Sequence, residues 1–282
     1  MTSGRSAPAP PAAPGRRRLK RVLRPLAGGR AYALLHSAAK AWDVRSGRWT
    51  EPELGLVPHV LAAGETAVDA GANFGLWTYH LSRAVGPRGS VLAFEPVPFS
   101  AAALRRVARL LGLRNVTVVQ KGLSDGPGRV RFVLPLQESG ALNAGLAHLG
   151  FRDDARAGAG DRVPAAGERE ILCEVVRLDD LGVAGDLAFL KCDVEGAELL
   201  ALRGAEATLA RHAPTLLLEV DPWFLEGFGL GVDDLLGFLD ARGYAAYRYA
   251  GGRLRPASAA DLPGNLLFVH PRRAGRLSAL LG

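Results

Sequence analysis

The chain has very little cysteine and no long hydrophobic run. Its 282 residues include only two cysteines, Cys173 and Cys192, which excludes a disulfide framework. Few cysteines are typical of proteins from a reducing compartment, so we expect a cytoplasmic protein. No stretch reaches the roughly 18 apolar residues of a membrane span, so we expect none. An apolar core with a cleavage site does not follow the basic N-terminus, so we expect no signal peptide.

Acidic residues are missing from residues 1–30, which hold eight of the 35 lysine and arginine side chains. The other residues carry 27 basic side chains, 35 less eight, against 28 acidic ones. The net charge of +7 therefore lies in this segment, which we predict to be a basic, disordered tail. Its "RRRLKRVLRPL" leaves open one amphipathic turn on an anionic membrane or on RNA. Because the rest of the chain is nearly neutral, nucleic acid is a disfavoured partner.

From residue 65 onward, apolar strands alternate with amphipathic helices. A strand such as "TAVDA" (66–70) precedes a helix, and "AELLALRGAEATLAR" (197–211) reads as one helix between two strands. This alternation predicts an α/β fold with a doubly wound, mostly parallel sheet covered on both faces. Such sheets bind ligands at the carboxyl ends of their strands. We therefore expect the functional residues at the strand ends and in the turns that follow them.

The chain divides into three predicted parts: the tail of residues 1–30, a helical extension of residues 31–64, and one domain of residues 65–282. Within that domain, "RVRFVLP" and "EILCEVVRL" indicate an inserted pair of antiparallel strands. The intervening residues 136–170 are rich in glycine, alanine and polar residues, and we predict a lid or substrate loop there. This segment carries Asn143 and His148, and His148 is an alternative catalytic base.

A glycine-bearing turn, "VDAGANFG" (68–75), follows the first strand. A dinucleotide-binding turn would have glycine at positions 71, 73 and 76, but two of these are Asn73 and Leu76. The spacing instead resembles the first motif of class I S-adenosylmethionine-dependent methyltransferases. A generic glycine-rich turn in an α/β protein is the alternative. The candidate cofactor-binding residues in this turn are Asp69, Gly71, Ala72, Asn73 and Gly75.

The second strand ends in "FEP", where Glu95 can accept hydrogen bonds from both ribose hydroxyls of an adenosine ligand. Pro96 belongs to the same candidate site. Glu95 could instead cap the next helix, but we expect Ser100 to be its N-cap. After the third strand, Ser124 and Asp125 lie where an adenine amino group could be bound. They could equally open the "DGPG" turn.

Charged residues end two further strands. Lys191, Asp193 and Glu195 alternate at the end of "FLKCDVEG", so their side chains should project to one face. The strand "LLLEVDP" carries Glu219 and Asp221 in the same way. If the two strands are neighbours, up to four carboxylates and one ammonium meet at the rim of the cofactor cleft. Glu195 and Glu198 could alternatively favour the positive N-terminus of the following helix.

Several ordered motifs together resemble the FkbM family of methyltransferases. They are "VDAGANFG", "FEPVP", "LDDL", "FLKCDVEGAELLALRGA", "PTLLLEV" and "NLLFV", spanning about residues 65 to 270. The resemblance implies a Rossmann-like class I methyltransferase fold with a seven-stranded sheet, S-adenosylmethionine as cofactor, and methylation of a hydroxyl oxygen. In this family the acceptor is often a macrolide- or sugar-like natural product, so we expect a hydroxylated small-molecule partner.

For the chemical step, we assign Asp193 as base or orienter, Lys191 as the residue that tunes it, and Glu195 to the substrate side. An ordinary aspartate is a weak base, and two routes remain open. Crowding of carboxylates could raise its pKa. Alternatively, Mg²⁺ bound by Asp193, Glu219 and Asp221 could acidify the alcohol.

Other classes of function are less well supported. An NAD-dependent oxidoreductase needs the glycine pattern that fails at Asn73 and Leu76. A nucleic-acid methyltransferase would use the basic tail as an electrostatic arm, and a binding module would leave the charged strand ends idle. No histidine or cysteine spacing suggests zinc, and no Ser–His–Asp arrangement can be placed on the strand ends.

Overall fold

The computed structural model describes residues 28–135, 148–149 and 168–281. The predicted tail up to residue 27 and most of the predicted lid, including Asn143, lie outside the described residues. Among the helices of the described ranges, none combines the length and the apolar character that crossing a bilayer requires.

The described residues form twelve β-strands in two sheets. In chain order the strands are β1 (Thr66–Ala70), β2 (Ser90–Phe94), β3 (Val116–Val119), β4 (Gly122–Leu123), β5 (Gly128–Pro135), β6 (His148–Leu149), β7 (Glu168–Val176), β8 (Leu187–Cys192), β9 (Thr215–Val220), β10 (Ala245–Ala250), β11 (Arg253–Pro256) and β12 (Gly264–Val269). The larger sheet has the order β11-β10-β12-β9-β8-β1-β2-β3. The five adjacent strands β9, β8, β1, β2 and β3 are parallel to one another, and β12 runs antiparallel to β9. This is the doubly wound, mostly parallel sheet that the alternation of strands and helices predicts.

The larger sheet has eight strands rather than the predicted seven. The additional strand is β11, which forms an antiparallel hairpin with β10. Gly251 and Gly252 connect them with φ values of 57° and 78°. These left-handed conformations suit a tight hairpin turn, because glycine adopts them without steric cost. A glycine pair between two apolar segments is the sequence signal for this hairpin.

The smaller sheet has the order β4-β7-β5-β6. Its central pair, β5 and β7, is antiparallel over the whole length of β5. The predicted insertion of an antiparallel strand pair is therefore confirmed. His148 lies in β6 and pairs with Val133 of β5 through the backbone.

Nine α-helices lie in the described ranges. They are α1 (Gly28–Arg45), α2 (Val57–Val60), α3 (Leu76–Val85), α4 (Pro98–Leu110), α5 (Glu198–Arg203), α6 (Glu206–His212), α7 (Pro222–Gly227), α8 (Val232–Asp240) and α9 (Pro271–Ala274). The predicted single helix over residues 197–211 is two helices, α5 and α6. The break lies at Gly204, between the two helices. A Cβ atom at this position would lie 1.9 Å from the carbonyl oxygen of Ser124. A side chain at 204 cannot be accommodated, so the neighbouring loop shapes this helix pair.

The central strands are buried on both faces of the larger sheet. Val68 and Leu190 pack into a cluster on one face, whereas Ala67 and Phe189 pack into a cluster on the other. Buried polar groups in such strands are costly unless they are paired. The carboxyl ends of β1, β2, β8 and β9 meet at one edge of the sheet, and charged side chains collect there.

Candidate active site

The turn after β1 packs directly against the end of β8. The backbone N–H of Asp193 donates to the carbonyl oxygen of Ala70 over 3.1 Å. Gly71 has φ of 79°, and a Cβ atom there would lie 1.9 Å from the carbonyl oxygen of Asp193. Gly75 has φ of 89° and is the N-cap residue of α3. Both glycines are therefore required by the path of this turn.

Gly71→Ala is expected to destabilise the fold by about 2–4 kcal/mol. Alanine is strained in the left-handed conformation, and its Cβ atom would also clash with the carbonyl oxygen of Asp193. The matched control is Gly47→Ala. Gly47 has φ of 69°, but nothing lies within 4 Å of an added Cβ atom. That control should lose only about 1 kcal/mol. Urea denaturation measures both, and equal losses would show that the contact with Asp193 is not restrictive.

Two acceptor atoms in and before this turn have no hydrogen-bond donor among the described residues. Asp69 is fully buried and accepts the hydroxyl of Thr78 at Oδ2 over 2.6 Å, but its Oδ1 has no partner. The Oδ1 of Asn73 is also buried without a partner. Burial raises the pKa of Asp69, while Lys191 and the Thr78 hydroxyl oppose the shift. Buried acceptors of this kind suit a ligand that brings donors.

Glu95 binds the backbone of the turn. Its Oε2 accepts the N–H of Asn73 over 2.8 Å, and its Oε1 accepts the N–H of Val97 over 2.9 Å. Burial raises the pKa of Glu95 to about 7, against the opposing effect of these two donors. One lone pair on each carboxylate oxygen remains for a further donor. Glu95 thus holds the turn and can still accept hydroxyl groups.

The expected N-cap at Ser100 is wrong. Helix α4 begins at Pro98, and its N-cap residue is Val97. Ser100 lies inside the first turn of the helix, and its buried hydroxyl has no hydrogen-bond partner among the described residues. The helix begins earlier in the chain than expected because the fixed φ of proline suits the first helical position. Glu95, which accepts the N–H of Val97, performs part of the capping that was assigned to Ser100.

Pro96, Ser124 and Asp125 lie beside this region. Pro96 is near the start of β4, since a Cβ atom on Gly122 would lie 3.8 Å from the Pro96 ring. The hydroxyl of Ser124 is 3.3 Å from Oδ1 of Asp125, which is exposed. The structure therefore places both side chains just beyond β4.

Lys191 and Asp193 form a close ion pair, with 3.0 Å between Nζ and Oδ2. The Lys191 side chain is only 5% exposed, whereas that of Asp193 is 27% exposed. Burial alone would lower the pKa of Lys191, but the charges of Asp193, Asp69 and Glu51 together raise it. Lys191 is therefore a fixed cation among carboxylates, and Asp193 is the member of the pair that reaches solvent.

Asp193 is held as a carboxylate. Burial acts to raise the pKa of Asp193, but Lys191 and a hydrogen bond with Glu219 outweigh it and lower the pKa. A hydrogen bond between two carboxyl groups needs one proton, which the pair shares. Strands β8 and β9 are parallel neighbours, which brings these two side chains together as the sequence predicts.

Glu195 lies in the turn that follows β8, with a left-handed φ of 57°. The pKa of Glu195 is raised to about 8, mainly by burial and to a smaller extent by the negative charges of Asp193, Glu198 and Asp221. Carboxylate oxygens of Asp193, Glu195 and Glu219 all lie within 4.8 Å of one another. Asp221 is not a member of that group, since it caps α7 by accepting the N–H of Trp223 over 2.9 Å.

Glu198 supports the same turn. Its Oε1 accepts the N–H groups of Val194 and Gly196 over 2.9 and 3.3 Å. Burial raises the pKa of Glu198 to about 7, and these donors oppose the shift. The alternative interpretation, in which acids favour the start of α5, therefore describes Glu198 well.

Residues that precede the sheet also contribute to the site, although no sequence motif predicts them. Glu51 accepts the indole N–H of Trp77 over 2.7 Å, and its charge acts on both Lys191 and Asp193. Burial raises the pKa of Glu51, and Lys191 opposes the shift. Lys40 of α1 lies 4.9 Å from the ring centre of Phe74 in the glycine turn. No strand end or motif marked these positions, so pattern alone could not have found them.

Comparison with known proteins identifies the family. A model described as "Methyltransferase FkbM domain" matches residues 69–246, which include the end of β1 and all of β2, β8 and β9. Methyltransferase 1 of Beauveria bassiana is 31% identical over 147 residues, covering 49% of this chain and 57% of that protein. Methyltransferase sdnD of Sordaria araneosa is 31% identical over 156 residues, covering 49% and 60%. The match thus spans little more than half the length of these relatives.

Solved structures of methyltransferases are also similar. Methyltransferase FkbM from Methylobacillus flagellatus KT is 19% identical, with a TM-score of 0.45 and coverage of 84% of this chain and 53% of that chain. A SAM-dependent O-methyltransferase from Thermotoga maritima is 14% identical, with a TM-score of 0.40 and coverage of 81% and 69%. The family model, which matches more than half of the sequence, is the finding that decides: this chain belongs to the FkbM methyltransferase domain family.

Proposed function

We propose that this chain transfers a methyl group from S-adenosylmethionine to a hydroxyl oxygen of a small-molecule acceptor. The observation that carries the proposal is the contact between the two halves of the site. The glycine turn, at Gly71, touches the backbone of Asp193, at the charged end of β8. A donor bound at that turn and an acceptor bound by the carboxylates would therefore be neighbours.

The residues around the turn fit the methyl donor. Glu95 offers two carboxylate oxygens to the ribose hydroxyls. The unpartnered oxygens of Asp69 and Asn73 suit the amino group of the donor. When bound, S-adenosylmethionine supplies an electrophilic methyl group on a sulfonium centre. The negative charge collected at this edge of the sheet favours binding of that cation.

The acceptor side needs one group that orients the hydroxyl and one that takes its proton. The lowered pKa of Asp193 makes it a poor base, so it orients the hydroxyl as a hydrogen-bond acceptor while Lys191 holds it in place. The pKa of Glu195, at about 8, suits proton transfer near neutral pH. We therefore assign the base to Glu195, on the substrate side of the site.

Of the two routes left open by the sequence, the first expected crowding of carboxylates to raise the pKa of Asp193, but that pKa is lowered. The neighbouring carboxylates contribute to raising the pKa of Glu195 instead. The hydrogen bond between Glu219 and Asp193 holds one proton, which relieves the crowding by neutralising one carboxylate of the pair. Acidic groups at such distances are common without a cation, and the proposed reaction uses no Mg²⁺. Three carboxyl groups suit an acceptor with several hydroxyls, such as a macrolide- or sugar-like natural product.

Binding of S-adenosylhomocysteine is expected to weaken about a hundredfold or more in Glu95→Ala, because two charge-assisted hydrogen bonds are lost. Isothermal titration calorimetry measures this, with NAD⁺ as the control ligand. Glu174→Ala is the control variant, since Glu174 is exposed on β7 and pairs with Lys121. Binding of NAD⁺ in place of S-adenosylhomocysteine would instead favour an oxidoreductase.

The same titration has an expected pH dependence. The carboxylate form of Glu95 accepts hydroxyl donors, and its pKa is about 7. Affinity of the wild type should therefore fall as the pH falls through 7, while Glu95→Gln should bind more weakly with a flatter profile. Equal affinity in the wild type and Glu95→Ala would remove Glu95 from the cofactor site.

A further inference from the structure

One face of helix α1 is apolar and open to solvent. Leu34, Leu35 and Trp42 are 60%, 52% and 61% exposed, and Ala38 and Ala39 between them are exposed as well. At about 100° per residue, these five positions fall within one arc of the helix. We call this arc the α1 apolar face. Contiguous exposed apolar side chains on a helix are typical of a surface that binds a protein, a membrane or a ligand.

The opposite side of α1 holds the helix firmly on the domain. Ser37 and Val44 are buried, and the ring of His36 lies 5.0 Å from that of Phe74 and 5.5 Å from that of Phe99. The α1 apolar face is therefore the outer side of a packed helix. Among the described residues, none covers it.

The charges around this face are basic. Arg45 and Arg48 are exposed at the C-terminal end of the helix. Residues 1–30, which lead into the helix, hold eight cations and no acid. Asp43 lies off the apolar arc and pairs with Arg48 over 3.8 Å. A matching partner is apolar at its centre and anionic at its surface, as is a bilayer that contains anionic lipid.

We propose that α1 docks this protein on anionic membranes, with Leu34, Leu35 and Trp42 entering the boundary between headgroups and acyl chains. Tryptophan and leucine are the side chains that interfacial helices bury, and flanking arginines bind the lipid phosphates. A second copy of the chain fits less well, since a two-fold contact would bring the basic segments together. RNA would pair with the cations but would leave the leucines unused. This inference does not depend on the proposed reaction.

Vesicle co-sedimentation tests the proposal on the full chain. Wild type should bind phosphatidylcholine vesicles that contain about one-third phosphatidylglycerol, and should bind pure phosphatidylcholine much more weakly. The double variant Leu35→Ser/Trp42→Ser should partition at least about tenfold less. Leu110→Ser is the matched control, because Leu110 is 59% exposed on another helix. It should bind as the wild type does.

Fluorescence separates insertion of the helix from simple attraction of the tail. Tryptophan emission should shift to shorter wavelength on vesicles, and Trp42→Phe should abolish the shift. Vesicle binding that is unchanged in the double variant, or that occurs without a shift, would overturn the proposal in favour of the tail alone. A dimer in solution that the double variant dissociates, without vesicle binding, would overturn it in favour of a second copy.

Discussion

Replacement of Glu195 by glutamine is expected to lower kcat by about 10²–10⁴-fold, the usual contribution of a positioned general base. Glutamine keeps the size of the side chain but cannot take the proton. Binding of S-adenosylhomocysteine should change little, because the assigned donor contacts lie at Glu95 and the glycine turn. Methyl transfer from labelled S-adenosylmethionine to a panel of hydroxylated acceptors, together with calorimetry, separates the two effects.

The pH dependence gives this prediction a second readout. The base is active when it is deprotonated, and the pKa of Glu195 is about 8. The wild-type kcat/KM should therefore rise with pH and level off above 8, since this parameter reports the free enzyme. Glu195→Gln should remove the rise.

The matched control is Glu198→Gln. Glu198 has a pKa of about 7 and lies next to Glu195, but its carboxylate binds the backbone of the turn. A glutamine oxygen can accept the same N–H groups, so kcat should fall only a few-fold and the rise with pH should remain. If Glu198→Gln removed the rise and Glu195→Gln kept it, the base would be reassigned to Glu198.

Lys191→Met is expected to lower the free energy of unfolding by about 3–5 kcal/mol at neutral pH, as the breaking of a buried ion pair usually does. Lys191 is 5% exposed and is the cation on which Asp193, Asp69 and Glu51 act. Its removal leaves these carboxylates uncompensated. Urea denaturation measures the loss.

The pH dependence of this loss has a definite sign. The folded state lowers the pKa of Asp193, so its stabilisation is present above the ordinary value of 3.8 and is lost as the pH falls through the folded value. The folded state raises the pKa of Lys191, so its stabilisation is present below 10.5 and is lost as the pH rises through the higher folded value. The variant should therefore lose most between these limits and less in acid.

The double variant Lys191→Met/Asp193→Asn is the control for the pair. It removes both charges, and it should regain part of the stability lost by Lys191→Met alone. Its turnover should stay low, because the orienting carboxylate is missing. Asp193→Asn alone completes the comparison. If the loss in the double variant equalled the sum of the two single losses, the ion pair would contribute little, and the stability would come from the pairing of Lys191 with Asp69 and Glu51.

Local pattern determined much of the fold. The alternation of apolar strands and amphipathic helices predicted the doubly wound sheet, and the bounds of β1 agree with the predicted segment. Because the carboxyl ends of parallel strands share one edge, the sequence also placed Lys191, Asp193 and Glu219 together. These features depend on side-chain periodicity, which is a property of each segment by itself.

Tertiary structure decided the rest of the candidate site. Glu51 acts electrostatically on Lys191 from outside the predicted domain, and the indole N–H of Trp77 holds its carboxylate. Asp221 caps a helix instead of joining the other acids, and the helix pair α5–α6 breaks where Gly204 meets Ser124. Each of these outcomes depends on side-chain packing or on backbone contacts between separate segments. Sequence periodicity carries no information about such contacts, whereas the folded chain brings the segments together and selects one partner for each group.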